Sequence, residues 1–496
     1  MNYIAVTIGP IYETLSKARK TRELWGGSYL FSYLMERILE PFAVGERRRD
    51  FIVPAIDETL FDNATPRPYG AFHDRAIFKS QEGDLEYLKN HIDEIFREIA
   101  DSTPLDVDFI KNYFQVHTLE LDVGEGKNPI LELTPWLDSA ELFHSVRQYD
   151  ETKLKRFLQG DNRYLKKRAF AGKKSFPSLP EIALHDLLTA TDVEDYFHRH
   201  LDEEESVYEA YKEKIKPYHK YIAIVHADGD SMGKVVESLK GQKEFETFSK
   251  ALLNYAKSSA DMVARYGGEM IYAGGDDLLF FAPVVSTGRT IFHLCDELGK
   301  NFDSLMQPLN DKLQNAKATL SFGVSVTYYK FPLYEALERS RTQLFGKAKG
   351  ESKNNIAFEV TKHSGQVFGA VVPKGDETIF PDFLSLCAYD GGESEETGAF
   401  LHSLHHKLSL HANTIEKIAT SETANERLKN FFENYFNEQE VHSQYRSFFE
   451  ALTPLIEAAY KHYPPRPEID NPNDQEAMKL IYGALRFKKF ILGDRS

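Results

Sequence analysis

The sequence predicts an α+β protein whose second half contains a ferredoxin-like sheet. From residue 219 onward, β-rich and helical segments alternate in the order β-α-β-β-α-β-α-β. This order is typical of a ferredoxin-like fold, in which a hairpin lies between two crossover helices. Hydrophobic residues make up 42% and charged residues 27% of the 496 residues, which indicates an ordinary globular chain long enough for several domains.

The N-terminal half begins with a predicted strand at 2–8, and after Gly9-Pro10 a helix is predicted from Ile11 to Leu39. A second strand is predicted at 51–56. Between about 82 and 215 the apolar residues mostly follow helical spacing, as in "DLEYLKNHIDEIFREIA".

The second half contains the predicted strands "HKYIAIVHADGD", "ATLSFGVSVTYYKF" and "NNIAFEV" and the hairpin "GGEMIYAGGDDLLFFAPV", separated by helices. An extended segment, "QVFGAVVP", follows residue 366 and leads into helices that continue to the C-terminus. The expected units are 1–100, a mainly helical unit at 101–215, the ferredoxin-like unit at 216–365, and a helical unit at 366–496.

Composition excludes several classes of protein. A formal charge of −16 argues against a chain that coats nucleic acid unaided, because phosphate binding depends on Lys and Arg. Cys295 and Cys387 are too few for a disulfide framework or a four-cysteine zinc site. The sequence has neither a signal peptide nor an apolar run of membrane-spanning length. We therefore expect a cytoplasmic protein without zinc or a membrane partner.

The first candidate motif is Asp228-Gly229-Asp230, which ends a predicted strand and leads directly into a helix at Ser231-Met232-Gly233. Free amides at a helix start, together with a glycine turn, form an anion-binding site. We expect a triphosphate to lie against residues 229–233, with Asp228 and Asp230 facing its metal ions.

The second motif is the turn Gly274-Gly275, which presents Asp276 and Asp277 at the end of a neighbouring strand. Adjacent carboxylates repel each other, so a cation is expected between them. Oxygen ligands suit Mg²⁺ or Mn²⁺, and two such ions support attack of a 3′-hydroxyl on an α-phosphate with loss of pyrophosphate. Asp228, Asp276 and Asp277 are therefore the candidate metal ligands and catalytic residues.

Lys347 and Lys349 follow at the end of the helix "LYEALERSRTQLFGKAKG", from which they could reach the β- and γ-phosphates. Each signal alone has a structural explanation: Gly-Gly-Asp-Asp is a common hairpin turn, and lysines complement a helix dipole. The order of the two aspartate motifs on one β-α-β-β scaffold favours catalysis.

Four segments resemble motifs of a known family. They are "IGPIYETLSKARKTRELWGGSYLFSYL" at 8–34, "FPSLPEIA" at 176–183, "HADGDSMGK" at 226–234 and "AGGDD" at 273–277. In this order they resemble the large polymerase-cyclase subunit of type III CRISPR effector complexes, in particular its Cmr (type III-B) branch.

The resemblance implies two palm domains with helical modules between and after them. The second palm would convert ATP into 2′ messengers or, more usually, 3′,5′-linked cyclic oligoadenylates. Asp228, Asp276 and Asp277 would be its metal ligands, with Asp230 beside them. The first palm carries Ile8-Gly9-Pro10 where the second carries aspartates, so it should be catalytically silent, helping to hold nucleotide and bracing the active palm.

The implied partners are the other Cmr subunits, a CRISPR guide RNA and a target RNA that switches the activity on, with base pairing providing the sequence specificity.

The chain departs from many relatives in two respects. Its first palm begins at residue 2, so no preceding His-Asp nuclease domain is expected, and neither His73-Asp74 nor His185-Asp186 predicts a nuclease. It also lacks the four cysteines of an interpalm zinc site.

A basic stretch and a group of four histidines each have a functional and a structural interpretation. The basic stretch 153–176, "KLKRFLQGDNRYLKKRAFAGKKSF", fits either an RNA contact or a solvated helix face with buried aromatic residues. The four histidines of the C-terminal helices are interpreted as surface or core residues and not as metal ligands; they are His402, His405, His406 and His411.

Three other functions stay open. One ATP could adenylylate a different acceptor, such as S-adenosylmethionine. The chain could also be a stand-alone dinucleotide cyclase or a non-catalytic scaffold subunit. Aspartates at both turns argue against the scaffold, and the N-terminal motif argues against the stand-alone cyclase.

Overall fold

The structure is a computed structural model of the chain. It describes residues 1–61, 69–103, 105–142, 152–154, 158, 176–188, 213–313, 316–350, 352–389, 395–435 and 445–493. The predicted α+β class is confirmed, since two separate sheets of the same core topology are packed between helices.

The N-terminal sheet has four strands in the order β2-β3-β1-β4. The central strand, β1, pairs antiparallel with β3 on one side and with β4 on the other. Six consecutive residues of β1 are buried, as expected for a strand covered on both faces. The strands are β1 (Asn2–Gly9), β2 (Phe51–Val53), β3 (Arg75–Lys79) and β4 (Gln115–Asp122).

The helix predicted from Ile11 to Leu39 is wrong in one respect, because the structure has two helices there, Ile11–Ser16 and Thr21–Ala43. Between them the backbone N–H of Arg19 donates to the Glu23 carboxylate (2.8 Å), which turns the chain before the second helix begins. Strand β2 is also shorter than predicted, since Pro54 has no N–H to continue the ladder.

Strand β4 lies in the region that was predicted to be mostly helical. It pairs with β1 along its whole length, from Asn2 opposite Asp122 to Gly9 opposite Gln115. The boundary predicted at residue 100 would separate these two strands, so we propose that the first unit extends to Asp122. The helices of this part are Asp84–Ser102, Val107–Tyr113 and Pro129–Glu141.

Helix Thr21–Ala43, here called the central helix, packs between the two sheets. Most of its 23 residues are buried, because apolar and small side chains occur all round it. Leu30, Leu34 and Ile38 join the core of the first sheet. Leu24 and Trp25 instead belong to a core that includes Ile222, Ile224 and Phe281 of the second sheet.

The second sheet has six strands in the order β12-β11-β10-β5-β7-β6. Strands β6-β7-β5-β10 have the same order by chain position as the first sheet, and all three neighbouring pairs are antiparallel. The strands are β5 (Tyr221–Asp230), β6 (Glu269–Gly274), β7 (Asp277–Pro283), β10 (Thr319–Tyr328), β11 (Asn355–Thr361) and β12 (Val367–Pro373), with a separate ribbon of β8 (Val285–Ser286) and β9 (Arg289–Thr290).

Strand β12 is the extended segment that was predicted after residue 366. It pairs antiparallel with β11, and we therefore propose that the second unit extends to Pro373. The remaining helices are short segments at Leu179–Ala183 and His185–Leu188, those flanking the second sheet at Met232–Ser238, Gln242–Tyr266, Ile291–Asn310 and Leu333–Thr342, and the C-terminal helices Ile379–Cys387, Glu395–Leu410, Ala412–Ala419, Ala424–Tyr435, Arg446–His462 and Glu476–Gly493.

Among the helices that the structure describes, none combines the length and the apolar character needed to cross a bilayer.

Candidate functional site

Three of the predicted carboxylates lie together at one end of the second sheet. Strand β5 pairs antiparallel with β7, with Ala227 opposite Leu278, so the next residue of β5, Asp228, meets the turn that precedes β7. One ligand oxygen from each of Asp228, Asp276 and Asp277 lies within 4.8 Å of the others. This all-oxygen donor set fits a hard divalent cation such as Mg²⁺ or Mn²⁺.

Gly229 allows the two loops to approach this closely. A Cβ atom on Gly229 would lie 2.4 Å from Asp276 Oδ2 and 2.8 Å from Asp276 Cβ, which is closer than side chains tolerate. The second motif can therefore pack against the first only because residue 229 is a glycine.

We expect Gly229→Ala to lower ATP conversion by ~10²-fold, because a shift of about 1 Å in catalytic groups commonly has this effect. Initial rates of ATP conversion by the assembled complex would measure it. Gly124→Ala is the matched control, since Gly124 is exposed and its nearest neighbouring atom would be 3.6 Å from the new Cβ. Equal rates for the two variants would contradict the close approach.

The carboxylates of the turn are held in an environment that disfavours their charges. Burial raises the pKa of Asp276, and the Asp230 and Asp74 carboxylates raise it further, although backbone N–H groups including that of Gly229 partly offset this. The Asp277 side chain is accessible to solvent, but protein atoms surround its carboxylate closely. This burial and the neighbouring Asp276 carboxylate raise the pKa of Asp277 well above its usual range. A bound cation would relieve this repulsion.

Of the two predicted lysines, the structure brings Lys349 to the carboxylates. Its ammonium contacts Asp228 and donates to the carbonyl oxygen of Gly229 (2.7 Å). Burial lowers the pKa of Lys349, and the neighbouring Lys353 adds to this, whereas the contact with Asp228 favours the charged form. Lys347 is exposed, and within the described part of the chain it forms no ion pair.

Lys347 lies within a π-helical segment, Gln343–Ala348, which continues the helix Leu333–Thr342, and Lys349 directly follows this segment. Such segments occur frequently at functional sites. The extra residue per turn sets which of the two lysines faces β5, and sequence spacing alone could not distinguish Lys347 from Lys349.

The predicted anion-binding turn follows Asp230. Ser231 adopts a left-handed conformation (φ 60°) and the helix Met232–Ser238 begins at the next residue. A Cβ on Gly233 would have no neighbour within 4 Å, so the start of this helix is open at that position. Asp230 itself differs from expectation: its side chain is buried and is not part of the group formed by the other three aspartates.

Sequence reasoning missed a contribution from the segment that precedes β3 of the first sheet. Gly70 forms a parallel bridge with Tyr272 of β6, and its carbonyl oxygen accepts the N–H of Ala273 (3.1 Å). Three residues later, the His73 imidazole lies against Gly275, where an added Cβ would be 2.4 Å from its Cε1. Burial lowers the pKa of His73 to about 4, which keeps it neutral. Nothing in the local sequence indicates this long-range contact.

The other histidine-aspartate pair has a structural role. Asp186 accepts hydrogen bonds from Ser286 Oγ and the Thr287 N–H, both at 3.0 Å, and so fastens the β8-β9 turn. In the C-terminal helices, His405 packs against Tyr482.

Most of the basic stretch 153–176, for which an RNA contact was one interpretation, lies outside the described residues. At its two ends, Lys153 pairs with Asp106 and Phe176 stacks on Trp25. An RNA contact at this stretch stays a prediction.

Comparison with known proteins identifies two matching families. The family described as Cas10/Cmr2, second palm domain, matches residues 221–357, and the N-terminal family of the CRISPR-associated protein Cmr2 matches residues 3–116. These two ranges coincide with most of the two sheets. The predicted resemblance to the Cmr branch is thus confirmed.

A curated relative is the CRISPR system Cmr subunit Cmr2 of Pyrococcus furiosus. It is 33% identical over 189 residues, covering 33% of this chain and 21% of the relative. This chain therefore matches about a fifth of that relative's length.

Solved structures share the fold at low sequence identity. The type III-B Cmr-beta complex bound to cognate target RNA contains a chain with a TM-score of 0.54 and 12% identity, covering 82% of this chain and 76% of that one. The Csm1-Csm4 cassette in complex with pppApA contains a chain with a TM-score of 0.51 and 10% identity. The match covers 99% of this chain and 69% of that one. At this identity the likeness concerns the fold alone. From the two family matches and the curated relative, the chain belongs to the Cas10/Cmr2 family.

Proposed function

We propose that this chain is the ATP-consuming nucleotidyltransferase subunit of a cytoplasmic type III-B CRISPR RNA-guided complex. It would make a cyclic oligoadenylate-type messenger when target RNA binds. The observation that carries the proposal is the convergence of Asp228, Asp276 and Asp277 within 4.8 Å at the end of a ferredoxin-like sheet. The Csm1-Csm4 cassettes solved with pppApA, cA3 and cA4 support it as fold relatives.

Each part of the site has a proposed task. Asp228, Asp276 and Asp277 would hold two Mg²⁺ or Mn²⁺ ions, which would lower the pKa of a 3′-hydroxyl and offset charge on the α-phosphate. The backbone from Gly229 to Gly233 would bind the triphosphate, and the Gly274-Gly275 turn would carry Asp276 and Asp277 to it. Lys349 lies against β5, where its ammonium would neutralise the outer phosphates.

The partners are proposed on the same basis. The other Cmr subunits, the guide RNA and the target RNA would contact this chain within the complex, and the acidic chain as a whole (−16) would leave recognition of the target to base pairing. The first sheet would brace the active turn, a role supported by the contacts of Gly70 and His73 with residues 272–275.

The test is mass spectrometry of the products that the assembled complex forms from ATP. Cyclic or linear oligoadenylates that depend on target RNA and a divalent metal are expected. The same reaction with S-adenosylmethionine present distinguishes the acceptors, because a conjugate of adenylate with that compound would replace the oligoadenylate proposal. No adenylate product under any condition would favour a scaffold role.

We expect Lys349→Met to lower kcat/KM for ATP by ~10- to 100-fold, since a hydrogen bond to a charged group contributes about 1.5–3 kcal/mol. Lys347→Met is the matched control and should change it by less than about threefold, because Lys347 is exposed. Steady-state rates at varied ATP concentration measure both. A larger effect at Lys347 than at Lys349 would reverse the proposed assignment.

A further inference from the structure

Asp230 is a buried acidic residue directly beside the candidate metal ligands. It is the last residue of β5, two positions after Asp228, and its exposed fraction is 1%. Its carboxylate is directed toward β10 and not toward the three clustered aspartates, as its hydrogen-bond partners show. A buried carboxylate in this position needs partners for both oxygens.

One of its oxygens is shared among three donors. Asp230 Oδ2 accepts from Thr319 Oγ1 (2.9 Å), Ser321 Oγ (2.8 Å) and the backbone N–H of Asn354 (3.0 Å). Thr319 and Ser321 belong to β10, and Asn354 immediately precedes β11. The carboxylate thereby joins three neighbouring strands at the end of the sheet where the site lies.

The same network reaches the backbone of Lys349. Ser321 Oγ also accepts the N–H of Asn354 (3.0 Å), which helps to hold that residue at a φ of 64°, a conformation that is uncommon outside glycine. The next residue, Asn355, donates from Nδ2 to the carbonyl oxygen of Ala348 (2.9 Å). Hydrogen bonds therefore connect Asp230 to both sides of the segment that carries Lys349.

The second oxygen of Asp230 provides charge. Oδ1 is buried, has no hydrogen bond within the described part of the chain, and lies 3.8 Å from Lys349 Nζ. Lys349 also contacts Asp228, but a cation bound to Asp228 would compete for that carboxylate. Asp230 would then remain as the anion that keeps the ammonium beside β5.

We propose that Asp230 is a positioning residue, which holds Lys349 in place for the phosphates of the nucleotide and does not coordinate metal. The inference rests on the proposed function in taking Lys349 as the phosphate ligand. It assigns different tasks to the two aspartates of one motif, Asp228 to the metal and Asp230 to the lysine.

The test compares three variants of the full chain, Asp230→Ala, Asp230→Asn and Asp228→Asn. Two affinities are measured, for Mn²⁺ alone and for ATP in the presence of Mn²⁺. We expect Asp230→Ala to weaken ATP binding by at least ~10-fold and Mn²⁺ binding by less than ~3-fold. Asp230→Asn keeps an acceptor for the three donors and loses only the charge, so its ATP affinity should fall between those of Asp230→Ala and the unchanged chain.

Asp228→Asn provides the contrast, because loss of a ligand should weaken Mn²⁺ binding by at least ~10-fold. If Asp230→Asn weakened Mn²⁺ binding as strongly as Asp228→Asn, Asp230 would be a metal ligand and the proposal would be overturned. Because the readouts are affinities and not turnover, the comparison decides the role of Asp230 even in a chain that converts no ATP.

A further variant covers the case in which Asp230→Ala fails to fold. Ser321→Ala keeps the carboxylate but removes the hydroxyl that donates to it and accepts from Asn354. We expect ATP affinity to fall by ~3- to 10-fold with Mn²⁺ affinity unchanged. If the ATP affinity were unaltered both in Ser321→Ala and in Asp230→Asn, the proposal would be overturned.

Discussion

Replacing Asp276 and Asp277 together by asparagine is expected to lower ATP conversion by at least ~10³-fold, because metal ions contribute several kcal/mol to such reactions and 1.36 kcal/mol is a tenfold change in rate. The same substitution should stabilise the metal-free chain, since it removes two neighbouring carboxylates whose charges are disfavoured. For a unit of about 150–250 residues, a gain of about 1 kcal/mol would raise Tm by ~2–4 °C. Product formation and thermal unfolding measure the two effects.

Asp261→Asn is the control for this variant, because Asp261 is exposed on the helix Gln242–Tyr266 and should leave both quantities unchanged. Binding of the partner subunits and of target RNA should persist in the double variant. Undiminished conversion of ATP by an assembled complex carrying it would refute the site.

Trp25→Ala is expected to reduce the free energy of unfolding by about 3–5 kcal/mol, the usual range for loss of a buried Trp. Trp25 is 2% exposed, and its ring stacks with those of Tyr29 (5.0 Å) and Phe176 (5.8 Å). Because it belongs to the core shared with the second sheet, its loss should weaken the contact between the two sheets as well as the central helix. Denaturant unfolding followed by circular dichroism measures the change.

The other tryptophan of the chain supplies the control. Trp136 is 59% exposed on the helix Pro129–Glu141, and Trp136→Ala should change the free energy of unfolding by no more than about 0.5 kcal/mol. Similar losses for the two variants would contradict the buried position of Trp25 in the core shared with the second sheet.

The sequence was sufficient to predict how the second sheet brings its aspartates together. Strands with long buried runs, such as β5, and a glycine turn between β6 and β7 leave a strong local signal. Once the β-α-β-β order is recognised, antiparallel pairing places Asp228 next to Asp276. This step needs only the register of neighbouring strands.

Features that depend on weak patterns or distant contacts could not be predicted. Strand β4 is only partly buried, with no fully buried residue along its length, so its apolar pattern resembles that of the adjoining helices. The arrangement of Lys349 depends on a π-helical segment, and that of His73 on contact between two sheets. The carboxylates of Asp228 and Asp230 look equivalent in sequence, and only the donors on β10 distinguish them.

The central helix also has a consequence for how the protein is made. It leaves the ribosome together with the first sheet, whereas Ile222, Ile224 and Phe281, which cover its other face, are synthesised much later. Until then an apolar surface around Leu24 and Trp25 stays uncovered, the condition under which partly made chains aggregate or recruit chaperones. Slowing translation before β5 should therefore lower the yield of native protein.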